Sequence, residues 1–150
     1  LLRAPTDPDP EADQGEHRFA YSLLPHANAS GSLLTPSTVA QRAYALNDPL
    51  RAVTTNQPLR QTPEPLVGVP ENIVVETVKQ AEDGNGVIVR FYECNRQRGP
   101  ITLAAGFALQ AAYRCNVLEE NEARLPVAGR RVDLAVRPFE IVTVRLVPVA

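Results

Sequence analysis

The sequence contains no tryptophan and no methionine, and only two cysteines and two histidines in 150 residues. Two cysteines make no disulfide framework, so free and mostly buried thiols are predicted at Cys94 and Cys115. Free thiols favour a reducing compartment, and we therefore expect a cytoplasmic protein. His17 and His26, with no thiolate cluster near them, do not complete the ligand set of a zinc site. The sequence thus predicts no metal site and no cofactor in this chain.

The sequence also lacks a large excess of charge of either sign and any long apolar run. Fifteen basic residues against seventeen acidic ones give a formal net charge of −2. This balance offers no electrostatic footprint for nucleic acid or an anionic membrane. No apolar run approaches the roughly 20 residues of a membrane span, and the chain does not open on a basic region followed by an apolar one. Neither nucleic acid nor a membrane is therefore predicted as a partner.

The chain also has no initiator methionine and opens at Leu1, in sequence that already looks ordered. We interpret it as a fragment cut from a longer protein, although processing would also remove an initiator. A length of 150 residues is typical of one domain and allows a core without metal or disulfide staples. We therefore expect residues 1–150 to form a single domain.

Signatures of common enzyme chemistry are absent too. There is no nucleophile elbow of the form G-x-S-x-G, and the eight glycines form neither phosphate-binding pattern. The seventeen acidic residues offer too many pairs to single out the two carboxylates of a glycoside hydrolase. The arginines at predicted turns are better explained as solvated charges than as a phosphate site; they are Arg96, Arg98, Arg130 and Arg131. The residues alone predict no catalytic side chain.

The strongest pattern that is present lies in residues 72–99. Residues 73–80 alternate between two faces of an extended segment, and residues 87–94 repeat that alternation. One face of the first segment carries Ile73, Val75, Thr77 and Lys79. Between the two segments, residues 82–86 read EDGNG, and such Asp-Gly and Asn-Gly steps supply the positive φ angles of hairpin turns. The pattern predicts an antiparallel hairpin.

Further short strands are predicted along the chain. They cover residues 16–24, 101–105, 109–119, 132–136 and 139–147. The first of them would turn His17, Phe19, Tyr21 and Leu23 to one side. The proline-rich loop of residues 50–71, with apolar pieces such as 66–69, is predicted to hold one or two more short strands at an edge. Residues 37–47 predict the one short helix, with a Ser or Thr cap, lying across a sheet edge as a connection. Because no helices alternate with the strands, the predicted fold is an all-β antiparallel β-sandwich of about eight or nine short strands with one connecting helix.

Four stretches together resemble a known family. They are PDPEADQGEHRFAYSLLPH at 8–26, AYALNDPL at 43–50, NIVVETVKQAEDGNGVIVRFYE at 72–93 and PFEIVTVRL at 138–146. Taken in this order, they are similar to the C-terminal β-sandwich region of glycoside hydrolase family 38, the α-mannosidases. The resemblance covers most of the chain.

The resemblance implies a parent enzyme that hydrolyses terminal α-linked mannose with retention of configuration. In that family, the carboxylate nucleophile and a zinc or other divalent ion belong to an N-terminal catalytic domain, whose motifs match no position here. The resemblance therefore implies a non-catalytic C-terminal domain that is inactive alone. It would pack against the catalytic domain of the same parent chain, with some loops approaching the cleft for the α-mannoside.

Within this resemblance, the segments expected at the interface are Arg3 and the loop from Asp13 to His17. A polar, glycine-containing turn at the start of a strand suits an interface better than a core. The candidate contact residues are Arg3, Asp13, Glu16 and His17. A second interpretation, which the residue types favour, is that these side chains only cap and hydrogen-bond the turn.

Two other classes of protein stay open on the sequence. An autonomous carbohydrate-binding module would present aromatic platforms, but Phe19, Tyr21, Phe91, Tyr92 and Phe139 all lie in strand patterns, where core packing is the default. An immunoglobulin-like adhesion domain would carry a Cys-Trp-Cys pattern, which this sequence lacks. A domain cut from a larger enzyme should expose an apolar surface that has lost its partner.

Overall fold

The computed structural model describes residues 7–25, 35–52, 54 and 65–149. Within these ranges the chain forms one helix and nine strands, all of whose pairings are antiparallel. The helix is α1, Pro36–Asn47; the strands are β1 Val67–Gly68, β2 Ile73–Gln80, β3 Val87–Glu93, β4 Gly99–Ala105, β5 Leu109–Cys115, β6 Asn121–Leu125, β7 Val127–Ala128, β8 Arg131–Val136 and β9 Ile141–Pro148. The predicted all-β sandwich is confirmed.

The strands divide into two sheets. A five-stranded sheet has the order β2-β3-β9-β5-β6, and a four-stranded sheet has the order β1-β4-β8-β7. Pro126 lies between β6 and β7, so that the chain leaves one sheet and enters the other there. Proline has no backbone N–H for a ladder, which suits this position.

The core lies between the sheets and follows from strict alternation along the strands. On β4 and β8 every second residue is buried, and Ile101 pairs with Leu134 while Leu103 pairs with Val132. The buried cluster consists of Ile73, Val89, Phe91, Ile101, Leu103, Ala105, Leu109, Ala112, Val132, Leu134, Val136, Val142, Val144 and Leu146. Branched side chains that interdigitate in this way supply most of the free energy of folding.

The predicted hairpin of residues 72–99 is confirmed, with one correction. The register between β2 and β3 shifts between Val75 and Thr77, which is a β-bulge at Glu76. Thr77 and Lys79 therefore do not share a face with Ile73 and Val75, because one extra residue moves every later side chain to the other face. The sequence pattern could not show the bulge.

The turn of this hairpin requires glycine at its last position. Gly84 and Gly86 have φ of 75° and 96°, and Asn85 N donates to Asp83 Oδ1 at 2.9 Å. A Cβ on Gly86 would lie 2.5 Å from the carbonyl oxygen of Leu146 on β9. Gly86 is thus fixed both by its backbone angle and by the neighbouring strand.

Helix α1 agrees closely with its prediction over residues 37–47. Thr35 caps it by accepting from Thr38 N, Pro36 occupies the first turn, and Asp48 ends it. The helix contacts β2, the edge strand of the five-stranded sheet, as expected for a connection across an edge. No helix in the described ranges has the length and apolarity needed to span a membrane.

Two sequence predictions about strands were wrong. Residues 16–24 form no strand, and Phe19, Tyr21 and Leu23 are 57%, 76% and 87% exposed. The predicted strand 109–119 instead ends at Cys115, and its last residues are a turn that leads into β6. Both errors arise because alternation predicts an extended backbone but not whether a partner strand is present. Cys94 and Cys115 are free and buried, as predicted.

Candidate functional site at the Glu93 end of the sandwich

The predicted contact residues lie in the segment before the sandwich. His17 Nε2 is 2.7 Å from the backbone oxygen of Asp13, and Glu16 pairs with Arg18 at 2.7 Å. Asp13 has φ of 59°, and Gly15 has φ of 119°, so the backbone turns sharply before residue 16. Arg3 lies outside the described residues. The structure brings Asp13 and His17 together, but none of the three makes a hydrogen bond or ion pair to a sheet within the described ranges.

A buried carboxylate organises one end of the sandwich, which we call the Glu93 end and define as residues 93–98 and 137–140. Glu93 is the last residue of β3 and is 0% exposed. Its carboxylate accepts from Asn95 N at 2.8 Å, from Phe139 N at 3.1 Å and from Asn72 Nδ2 at 3.4 Å. One side chain thereby joins the loop after β3, the turn before β9 and the start of β2.

These hydrogen bonds keep Glu93 ionised. Burial alone would raise its pKa, but the backbone N–H groups of Phe139, Gln97 and Asn95 and the side chain of Asn72 outweigh burial. Together they hold the pKa of Glu93 below its ordinary value. A buried carboxylate with several donors needs no cation beside it, because the N–H dipoles stabilise its charge.

The network continues from Glu93 into helix α1. Asn95 Oδ1 accepts from Ser37 N at 2.9 Å, and Ser37 Oγ lies 3.2 Å from Glu71 Oε1. Ser37 is fully buried, which is unusual for a serine in the first turn of a helix. The N-terminus of α1 is therefore joined to the loop that Glu93 holds in place.

The loops joined to Glu93 present cationic and aromatic side chains to solvent. Arg96, Arg98 and Arg137 are exposed and make no ion pair within the described ranges, and Phe139 is 64% exposed. Arg96 and Phe139 both have φ of 59°, a left-handed conformation that costs a non-glycine residue about 1 kcal/mol or more. The Glu93 end thus combines a rigid, buried anchor with strained, exposed loops.

Two open grooves flank these loops. One, of about 700 Å³, lies beside β4 and is lined in part by Asn72, Arg98 and Thr102. The other, of about 580 Å³, lies between Arg98, Arg137 and the ion pair of Arg114 with Glu140, whose closest N–O distance is 2.8 Å. Both grooves therefore share Arg98.

A second polar network covers the outer face of the five-stranded sheet. Arg145 of β9 is 5% exposed; its Nη1 lies 2.7 Å from both carboxylate oxygens of Asp83, and its Nη2 donates to the backbone oxygen of Glu119 at 2.9 Å. The side-chain hydrogen bond that Arg145 donates to Asp83 raises the pKa of Arg145. This network fastens the β2–β3 turn and the β5–β6 loop onto the central strand.

Glu119 and Cys115 complete that network. The Glu119 carboxylate accepts from Lys79 Nζ at 2.7 Å and from Glu82 N at 2.9 Å, and the lysine hydrogen bond lowers the pKa of Glu119. Burial raises the pKa of the Cys115 thiol, although Arg145 opposes that effect. A protonated, buried thiol is a poor nucleophile, so we assign this cluster a structural role.

The described residues do not fit a metal site. No group of three or more His, Cys, Asp or Glu side chains converges within these ranges, and of the two histidines only His17 falls inside them. Its ring nitrogen is already placed against the oxygen of Asp13.

Sequence reasoning missed Glu93 and Arg145, for different reasons. Glu93 continues the inward series Val87, Val89, Phe91, so its burial was visible as an acid at a core position of the predicted strand. Arg145 falls on the outward side of β9, and no sequence signal showed that a loop would cover it. Phe139 was predicted to pack in a strand pattern but is exposed at a turn.

Two antiparallel sheets around one apolar core, with polar networks holding loops at their ends and outer face, define an all-β sandwich domain. Residues 72–144 match the family model described as the glycosyl hydrolases family 38 C-terminal beta sandwich domain. Residues 72–144 therefore belong to the C-terminal β-sandwich domains of glycoside hydrolase family 38, as the stretches at 72–93 and 138–146 had indicated.

Similar proteins agree with this assignment. The chain is 34% identical over 98% of its length to "Alpha-mannosidase 2C1" of Homo sapiens and 30% identical over 98% to "Alpha-mannosidase G" of Dictyostelium discoideum. It is 31% identical over 87% of its length to "Putative mannosylglycerate hydrolase" of Halalkalibacterium halodurans. In each comparison the chain spans only 14% of the relative's length.

Proposed function

We propose that this chain is a non-catalytic C-terminal β-sandwich domain of an α-mannosidase, and that its Glu93 end packs against the catalytic part of the same parent chain. The parent would be a cytoplasmic enzyme that hydrolyses terminal α-linked mannose with a zinc or other divalent ion held outside this domain. The relatives' names and the small share of their length that this chain spans support the proposal.

The proposed interface is inferred from how the residues of the Glu93 end are arranged. A carboxylate with no exposed surface holds two loops whose exposed side chains are Arg96, Arg98, Arg137 and Phe139. Arginine and aromatic side chains on a rigid scaffold are typical of interface centres. A glycosidase cleft contains paired carboxylates, and guanidinium groups complement such a surface and donate to sugar hydroxyls.

The proposal also includes, with lower weight, three residues of the turn before the sandwich: Asp13, Glu16 and His17. Their contacts are all local, with the ring of His17 on the oxygen of Asp13 and Glu16 on Arg18. These contacts shape a turn and leave the side chains exposed for a partner. We retain them, with Arg3, as candidate interdomain residues of lower weight than the Glu93 end.

The non-catalytic role is tested on the purified chain. Hydrolysis of an aryl α-mannoside is measured with and without added zinc or cobalt, and mannose binding is measured by calorimetry. We expect neither turnover nor binding. Turnover above a no-enzyme control would place a catalytic site in this chain, and binding without turnover would favour an autonomous carbohydrate-binding module.

The interface is tested in the full-length parent protein. We expect the double variant Arg96→Ala/Arg98→Ala to lower kcat/KM for an aryl α-mannoside at least tenfold, while Arg124→Ala, an exposed arginine on β6, leaves it unchanged. The same assay with a mannosylglycerate substrate distinguishes the two activities named among the relatives. Equal kcat/KM for both variants and the wild type would exclude the Glu93 end as the contact to the cleft.

A further inference from the structure

The segment before the sandwich carries an apolar face that nothing in the described structure covers. Phe19, Tyr21 and Leu23 are 57%, 76% and 87% exposed, at consecutive alternate positions. Alternation with period two is the signature of a strand that buries one face. Single exposed apolar residues are common, but three on one face, two of them aromatic, indicate a surface that has lost its partner.

Residues 16–23 also have no backbone pairing to the described sheets. Residues 16–23 belong to no strand and make no backbone hydrogen bond to either sheet of the described structure. Backbone N–H and C=O groups that are to be buried need partners, which for an extended segment means another strand. Residues 16–23 therefore have the sequence pattern of a strand but no partner strand within the described structure.

Residues 16–24 are bounded at both ends by features that are typical of strand ends. Before it, Asp13 and Gly15 have positive φ, and Ala12 N donates to the oxygen of Asp9 at 3.2 Å, so the chain enters residue 16 from a formed turn. After it, Pro25 cannot donate to a ladder and ends the run. Nine residues, 16–24, rise about 30 Å at 3.3 Å each, which is an ordinary strand length.

The family model does not reach this segment, whereas the matches to the relatives include it. The family model covers residues 72–144 only, whereas "Alpha-mannosidase 2C1" matches 98% of the chain. The relatives share this segment, and residues 16–23 pair with no sheet of the described structure. Because the chain spans only 14% of such a relative, the remaining length could supply a partner strand.

We propose that residues 16–24 are a β-strand of a neighbouring domain, added to the open edge of a sheet in the rest of the parent chain, with Phe19, Tyr21 and Leu23 buried there. Two aromatic rings that each bury about 150–250 Å², together with strand hydrogen bonds, suit strand addition. The sandwich domain would then comprise helix α1 and residues 65–149 without residues 16–24, which departs from the expectation of one domain. This inference rests on the proposed function only in taking the chain as part of a longer protein.

Hydrogen exchange tests the proposal directly. The amides of residues 17–23 are compared in the isolated chain and in the full-length parent protein. We expect fast exchange in the isolated chain and exchange at least a hundredfold slower in the parent. Slow exchange in both would mean that the segment pairs with this sandwich, and fast exchange in both would mean that it has no partner; either outcome overturns the proposal.

A pair of double variants tests which face is buried. In the full-length protein, Phe19→Ser/Tyr21→Ser should remove the amide protection and lower the melting temperature, whereas Arg18→Ser/Ala20→Ser on the opposite face should retain most of the protection. In the isolated chain, both should melt like the wild type. Equal effects of the two double variants in the full-length protein would contradict the assigned face.

The result is independent of the enzymatic proposal. A parent protein that hydrolyses no α-mannoside but protects residues 17–23 would disprove the proposed function and support the added strand. An active α-mannosidase with unprotected amides in this segment would do the reverse.

Discussion

Residues 16–24 and β3 have almost the same sequence pattern but opposite environments. Phe19 and Phe91 both occupy alternate positions of an extended, apolar segment, yet Phe91 is 0% exposed and Phe19 is 57% exposed. The difference is that β3 lies between β2 and β9, whereas no strand of the described structure flanks residues 16–24. An alternating pattern therefore predicts that a segment can form a strand. Whether it does depends on a neighbouring strand with which it can pair.

The comparison of the two phenylalanines gives the largest expected effect. Phe91→Ala should lower the free energy of unfolding of the chain by about 4 kcal/mol, because it leaves a cavity between the two sheets. Phe19→Ala should change it by less than about 0.5 kcal/mol, as for other exposed positions. Urea denaturation followed by circular dichroism measures both. A comparable loss for Phe19→Ala would mean that residues 16–24 pack on the sandwich.

Glu93 and Glu16 allow the same comparison between a buried and an exposed residue to be made for a carboxylate charge. Glu93→Gln should cost about 3 kcal/mol, since an amide NH₂ would face backbone donors that now bind a carboxylate. Glu16→Gln removes only an exposed ion pair and should cost less than about 0.5 kcal/mol. The readout is the same denaturation experiment at neutral pH, and equal costs would exclude Glu93 as the anchor of its loops.

The lowered pKa of Glu93 also predicts how stability depends on pH. Because the folded pKa lies below the ordinary value of 4.5, ionised Glu93 stabilises the fold above that pH, and this stabilisation is lost as the pH falls through the folded pKa. Glu93→Gln should therefore show a smaller loss of stability on acidification than the wild type. Identical pH profiles below 4.5 would contradict the assigned hydrogen bonds.

Arg145 and Arg18 make a matched pair of arginines. Arg145→Ala should lower the free energy of unfolding by about 2 kcal/mol, because Asp83 and the backbone oxygen of Glu119 lose a buried donor. Arg18, whose side chain is 86% exposed, should be replaceable by alanine at no measurable cost. Thermal melts of the two variants check this. Unchanged stability of Arg145→Ala would show that the hydrogen bond from Arg145 to the β5–β6 loop does not stabilise the fold.

The last comparison concerns glycines with positive φ. Gly86→Ala should cost about 2 kcal/mol, from the left-handed backbone and from the 2.5 Å approach to the oxygen of Leu146. Gly84→Ala, with positive φ but nothing within 4 Å, should cost about 1 kcal/mol. Gly15→Ala should leave the unfolding of the sandwich unchanged. Equal costs at Gly84 and Gly86 would show that β9 yields to the added methyl group.

Much of the fold was predictable because its determinants are local. Apolar alternation predicted β4 and β8, Gly84 and Gly86 predicted the hairpin turn, and a Ser or Thr cap indicated the start of α1. Each of these depends on backbone geometry within a few residues. The bulge at Glu76 was not predictable, because it is a property of the pairing between two strands.

The candidate site was much less predictable than the fold. Asp13, Glu16 and His17 were selected for their residue types, and their role at an interface stays a prediction. Glu93 was visible as an acid on an inward face, but its partners Asn72 and Phe139 are 21 and 46 residues away in sequence. Only the folded chain brings such donors to one carboxylate.

The sequence by itself determined which segments are extended, where they turn, and that the apolar side chains of β4 and β8 face one side, because these follow from steric limits and a period of two. Tertiary structure alone decided that Arg145 is covered by the β5–β6 loop, that Glu93 joins three segments, and that Phe19 stays exposed. The physical reason is that burial depends on the neighbour supplied by a distant part of the chain, and local sequence does not specify that neighbour.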